Sequence, residues 1–122
     1  MNKRINYGQF YQKDEVSLLA VVEVTVLPVG TASPSISGYV ADCISILESA
    51  DDVSYQLNPM GTVLEGDLDQ VLRLIRQMHE HPFANGVQRV VTTVRIDDRR
   101  DKALTMSGKV DAVQKRLSEQ KR

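Results

Sequence analysis

The sequence predicts an α+β fold: a four-stranded antiparallel sheet with two helices on one face and a further helix near the C-terminal end. Three observations carry this expectation. Two segments, Leu18 to Pro28 and Arg89 to Asp97, alternate apolar and polar residues with the period of two that belongs to a strand. Two others, within 31–50 and from Asp67 to Met78, repeat apolar residues every three or four positions, as an amphipathic helix does. Between those helices lie two short strand-like runs parted by Pro59-Met60-Gly61, the mark of a hairpin.

Composition sets the outer limits. At 122 residues, with 42% hydrophobic and 25% charged, the chain has the size and make-up of one domain with its own core. Fifteen Lys+Arg against sixteen Asp+Glu leave a net charge of −1, which removes the electrostatic basis for nonspecific binding to nucleic acid or anionic membranes. A single cysteine excludes an internal disulfide. Met1-Asn2-Lys3-Arg4 is followed by no apolar signal segment, and no apolar run approaches the ~18 residues that span a bilayer. The expectation is a soluble, cytoplasmic domain over 18–118, preceded by a polar extension over 1–17 and followed by a short tail, 119–122.

Each element has its own justification. In LLAVVEVTVLP, Val22, Val24 and Val26 share one parity and Glu23 and Thr25 the other, until Pro28 and Gly30 end the strand. Ile36, Tyr39, Val40, Cys43, Ile44 and Leu47 form the first helical stripe, for which Ser33 or Ser35 is the expected N-cap and Pro34 suits the first turn. Val53 to Asn58 and Thr62 to Glu65 make the hairpin strands. Asp67 is the expected cap of the second helix, with Leu68, Val71, Leu72, Ile75 and Met78 on its apolar face and Pro82 and Gly86 as its stop. Arg89 to Asp97 alternates cleanly, and the charged turn DDRRDK leads to a last helix near 107–118 with a thin stripe of Val110, Val113 and Leu117. The order β-α-β-β-α-β is the split βαβ, or ferredoxin-like, pattern.

Two helices cover only one face of such a sheet. With Val22, Val24, Val26, Val90, Thr92, Val94 and Ile96 assigned to the helices, the other face carries Val21, Glu23, Thr25, Leu27, Val91, Thr93, Arg95 and Asp97. This mixture suits a surface covered by another copy of the chain, while Glu23 and Arg95 fall on neighbouring strands and can pair.

Few residues invite chemistry. His79 and His81 point to different sides of a helix and read as helix-end residues rather than metal ligands. Cys43 lies on an apolar stripe and reads as core. Phosphate-binding, dinucleotide-binding and Cys-x-x-Cys motifs are absent. What stands out are four hydroxyls at a strand-to-helix junction, Thr31, Ser33, Ser35 and Ser37, which with free backbone N–H groups suit an anion or a polar heterocycle. The hairpin adds Tyr55, Asn58, Met60 and Thr62: an aromatic face, an amide, a thioether and a hydroxyl, suited to holding a small ring. Ordinary loop capping and turn chemistry account for the same residues equally well.

Three segments together resemble the YkoF-like thiamine-binding family: P-x-G-x-x-x-P-S-x-S-x-Y-V (Pro28 to Val40), Y-x-L-x-P-M-G-T-x-x-E-G (Tyr55 to Gly66) and R-V-x-T-x-V-x-I-D-x-R-x-D (Arg89 to Asp101), with Lys109 and Val113 in the last helix. The resemblance spans about 18–118 and leaves the N-terminal extension outside it. It implies a ferredoxin-like fold, assembly through the sheets into dimers or tetramers, and non-enzymatic binding of thiamine or its hydroxymethylpyrimidine moiety, with no further cofactor. On that reading the serines and threonines of the first loop, with Asn58 and Thr62, address the pyrimidine, while Glu23 or Glu65 and Tyr55 address the cationic thiazolium. The alternative is an oligomeric interaction module without a small-molecule ligand. A small enzyme is the third reading, for which only Glu23, Glu65, His79 and His81 offer acid–base groups.

Overall fold

Val22 is the centre of the sheet: it stands between Leu64 on one side and Ile96 on the other, and is wholly buried. The computed structural model describes residues 19–120, so the extension over 1–17 lies outside the described residues. The elements run β1 (Ala20–Val29), α1 (Ser37–Glu48), β2 (Ser54–Asn58), β3 (Gly61–Gly66), α2 (Leu68–Ala84), β4 (Arg89–Asp97) and α3 (Met106–Gln120). All strand pairs are antiparallel, in the order β2-β3-β1-β4. The expected β-α-β-β-α-β fold with a terminal helix is the fold observed.

Register decides which side chains share a face. Residues directly opposite in an antiparallel pair project to the same side. Val22, Val24 and Val26 therefore share the helix face with Leu64 and Thr62 on β3, Tyr55 and Leu57 on β2, and Ile96, Val94 and Thr92 on β4. Against this face α1 contributes Cys43 and Leu47, and α2 contributes Val71, Leu74, Ile75 and Met78. The opposite, open face carries Glu23, Thr25 and Leu27 beside Arg95, Thr93 and Val91, as the alternation predicts. Arg95 Nη1 lies 3.7 Å from Glu23 Oε1.

Three local expectations are corrected. The N-cap of α1 is Ile36, with no side-chain cap, because the serines are engaged inside the loop: the Thr31 hydroxyl donates to the Ser33 carbonyl (2.7 Å) and Ser33 Oγ accepts from the Ser35 N–H (3.1 Å). Pro34 thus precedes the helix instead of opening it. Pro82 does not stop α2 but is buried inside its last turn, and Gly86 at φ +89° follows the helix end. A proline there leaves the carbonyl of residue i−4 without its helical donor. That carbonyl belongs to Met78, and the Cys43 thiol faces it at 4.0 Å. Finally, Leu72 is 40% exposed and Leu74 takes the core position.

Among the described residues, the hydrogen bonds that hold α3 to the sheet lie at its start. Glu65 Oε1 accepts the Met106 N–H at 3.0 Å, and Lys109 Nζ donates to Asp97. This sets the first turn over the Val21 end of the open face, where Val21 is buried. Beyond it Val110, Val113 and Leu117 are all more than half exposed.

Candidate functional site

Two cavities flank the β2–β3 hairpin, one on each face of the sheet. The strands meet at a two-residue turn, Pro59-Met60, closed by the Asn58–Gly61 pair. No non-glycine residue among those described has positive φ, so the turn keeps both central residues at negative φ, with proline and glycine where such a turn favours them. Gly61 also suits a close approach: a Cβ there would sit 3.1 Å from Thr25 Cγ2 and 3.4 Å from the Val24 carbonyl oxygen, tight enough that the threonine would have to give way. The hairpin tip therefore reaches β1 closely.

The helix-face cavity, about 250 Å³, opens between the hairpin and the start of α1. Ile36, Val40, Leu57 and Met78 give it apolar walls, and Cys43 and Thr62 also line it. Thr62 is only 6% exposed, and among the described residues no hydrogen bond engages its hydroxyl. Met60, at the turn, is 86% exposed at the rim. Cys43 is the one titratable side chain in the lining; burial, with a smaller contribution from the Asp42 carboxylate, pushes its thiol up to about 11. A thiol so displaced stays protonated at neutral pH and is a poor nucleophile.

The open-face cavity, about 500 Å³, lies beneath the first turns of α3. Val21, Val63 and Val110 form its apolar part, and Gln56 and Asn58 bring two amides, linked to each other by a 3.2 Å hydrogen bond. Its four charges are already matched, Glu23 with Arg95 and Asp97 with Lys109.

The residues singled out in the sequence are thus divided between sites. Met60 and Thr62 line the helix-face cavity, Glu23 lines the open-face cavity, and Asn58 borders both. Glu65 anchors α3 through Met106 instead of facing a cavity. Tyr55 lines neither: its hydroxyl points to Glu48 Oε1 at 3.4 Å, and its pKa is raised by desolvation first and by Glu48 second. Thr31, Ser33, Ser35 and Ser37 also line neither, and the Ser35 and Ser37 hydroxyls lie 3.4 Å apart. Their loop reaches the helix-face cavity through Ile36. Gln56, Asp97 and Met106 were not singled out in the sequence; only the folding of α3 onto the sheet brings them together.

The two histidines part as expected: His79 Nδ1 lies 2.7 Å from Thr92 Oγ1, and His81 Nε2 lies 3.2 Å from Asp42 Oδ2. Among the described residues no group of three or more His, Cys, Asp or Glu side chains is arranged to hold a metal, and no helix is long and apolar enough to cross a membrane.

Comparison with known proteins places this architecture. The family model described as thiamine-binding protein matches residues 22–114. The UPF0045 protein YqgV of Bacillus subtilis is 46% identical over 102 residues, covering 81% of this chain and 98% of its own length. A UPF0045 protein of Methanothermobacter thermautotrophicus is 39% identical over 100 residues, covering 81% of this chain and all of its own. The crystal structure of MJ1052 from Methanocaldococcus jannaschii superposes with a TM-score of 0.72 at 38% identity, over 80% of this chain and 97% of that one.

Proposed function

The chain belongs to the thiamine-binding protein family, and we propose that it binds thiamine or its hydroxymethylpyrimidine moiety without transforming it, as a carrier, buffer or sensor in the cytoplasm. The helix-face cavity is the site this reading uses. The observation that carries it is Thr62, a residue only 6% exposed that lines a largely apolar cavity and whose hydroxyl no hydrogen bond engages among the described residues. A hydroxyl without a protein partner in such a wall can both donate to and accept from a polar ring edge. An aminopyrimidine is flat, apolar on its faces and polar only at its edge, which matches apolar walls interrupted by the Thr62 hydroxyl, the Asn58 amide and the main chain of the hairpin turn. About 250 Å³ suits one ring of the vitamin and leaves the thiazolium at the rim, over the thioether of Met60.

The same lining supports a non-enzymatic role. Its one titratable group is a thiol held protonated, so an acid–base pair is missing from the cavity walls. The open-face cavity fits the ligand less well, because a cation entering there must displace Arg95 from Glu23 or Lys109 from Asp97.

Self-association belongs to the same reading. Leu27 and Val91, opposite each other on the open face, are each 44% exposed, and the stripe of α3 is exposed as well. Apolar surface of this extent on neighbouring elements marks an interaction face, and a homo-oligomer covers it without a second component. Titration calorimetry with thiamine and with hydroxymethylpyrimidine tests the ligand: saturable binding to the wild type, weakened by Thr62→Val, is the expected result, and no heat from either compound overturns it.

A further inference from the structure

α3 carries an apolar face that the rest of the described chain leaves open. Val110, Val113 and Leu117 recur at intervals of three and four, which places them on one stripe of the helix, and each is more than half exposed. Among the described residues α3 is the one helix without a buried side chain. A helix of its fifteen residues is marginal alone in water, and helices of this size owe most of their stability to packing of the apolar face. The bonds to Glu65 and Asp97 hold its first turn, and Val110 adds a wall to the open-face cavity. From Val110 the stripe runs outward uncovered.

A cover is present at the other end of the sequence. Tyr7, Phe10 and Tyr11 are half of the aromatic residues in a chain with four tyrosines, two phenylalanines and no tryptophan. They fall in a mostly polar segment before the sheet, and the thiamine-binding family match starts after it, at Val22. β1 brings that segment to the right place. Ala20 pairs with Gly66, and Val21 pairs with Asp97, which accepts from Lys109 of α3. Val21 and Val110 line the same cavity. The chain therefore enters the sheet beside the first turns of α3, at the near end of the stripe. The eight residues from Tyr11 to Leu19 span up to about 27 Å, whereas α3 from Met106 to Leu117 covers about 17 Å.

We propose that Tyr7, Phe10 and Tyr11 dock on the Val110, Val113 and Leu117 stripe of their own chain. An aromatic side chain buries about 150–250 Å², so three rings suffice for three aliphatic side chains. A second copy competes for the same stripe, but a tether of eight residues holds the aromatic cluster at a local concentration on the order of millimolar. No second copy matches that at micromolar protein. Because Val110 is also a wall of the open-face cavity, the docked cluster stands at the rim of that cavity. Leu27 and Val91 stay available for self-association. The inference is separate from the ligand reading, since α3 starts on the open face and the helix-face cavity lies on the other.

A nitroxide spin label on Gln12→Cys, in the full ¹⁵N-labelled chain, locates the cluster by NMR. Native Cys43 is buried, and the wild type treated with the same reagent serves as its control. Amide signals of Val110, Val113 and Leu117 should broaden while that of Phe83, at the far end of α2, keeps its intensity. In a mixture of spin-labelled ¹⁴N chain with unlabelled ¹⁵N chain the same signals should stay sharp. Broadening in the mixture would give the stripe to another copy and overturn the proposal, as would broadening at Leu72 and Phe83 in place of α3, or none at all. A second measurement uses Phe10→Ser with Tyr11→Ser in the full chain. Amide exchange over 110–117 should rise about tenfold, with the sheet as the internal reference because both residues precede it. Exchange unchanged over 110–117 would also overturn the proposal. Ligand binding is measured separately and is decided by neither result.

Discussion

Thr62 and Glu23 lie on adjacent strands, one register position apart, yet face opposite sides of the sheet. Thr62 pairs with Val24 and shares its helix face, while Glu23 pairs with Val63 and looks out from the open face. Because the side-chain period of a strand is two, one ligand cannot touch both residues within a single protomer. The two residues therefore give opposite results when replaced. Thr62→Val should lower affinity for hydroxymethylpyrimidine by about tenfold, the worth of one buried hydrogen bond. Glu23→Gln should leave it unchanged. Calorimetry on the two variants checks this, and a loss in Glu23→Gln matching that in Thr62→Val would move the site to the open face.

Glu65 acts on α3 and not on a ligand. Its carboxylate accepts the Met106 N–H at the start of the helix, where a negative charge also meets the positive end of the helix dipole. Glu65→Ala should cost about 1 kcal/mol. It should raise hydrogen exchange over 106–120 while α2 and the sheet stay protected. Exchange that rises evenly across the whole domain would contradict this division.

Leu64 is wholly buried between Val22 on β1 and Tyr55 on β2. Leu64→Ala should destabilise the domain by about 3 kcal/mol, through lost burial and the cavity left behind. Chemical denaturation reads this directly. A loss below 1 kcal/mol would mean that the helices collapse onto the gap.

Cys43 makes stability fall at alkaline pH. Burial and Asp42 raise its thiol from 9.0 to about 11. The unfolded chain therefore releases this proton first, so the contribution is complete below pH 9 and is lost progressively as pH rises from 9 toward 11. Denaturation at pH 8, 9 and 10.5 should show the decline, and Cys43→Ala should flatten that part of the profile. A Cys43→Ala variant as steep as the wild type would assign the decline to other groups.

Much of this architecture was legible in the sequence because β1 and β4 obey a strict alternation. Once Val22 is put on the helix face, the places of Glu23 and Thr25 follow from alternation alone, and the ferredoxin-like order that sets β1 beside β4 then gives the Glu23–Arg95 pair. Helix ends were less legible. Ser33 and Ser35 have the chemistry of an N-cap, but their loop uses them for its own turn. Pro82 has the chemistry of a stop, but its burial and the Cys43 thiol at the Met78 carbonyl let the helix continue past it. The candidate site was legible as a set of residues and not as an arrangement. Tyr55 and Thr62 share the helix face, but only the packing of α1 shows that Tyr55 turns to Glu48 while Thr62 stays within a cavity. Gln56, Asp97 and Met106 gather only because α3 docks on Glu65, a contact across 41 residues that no local pattern announces.

The central claim, that the helix-face cavity receives the pyrimidine ring, is tested most directly by solution NMR of the wild type titrated with hydroxymethylpyrimidine. The predicted result is saturable shifts at Ile36, Val40, Met60 and Thr62, with Glu23, Arg95 and Lys109 unmoved. Shifts confined to Glu23, Gln56, Arg95 and Lys109 would contradict it and place the ligand on the other face of the sheet.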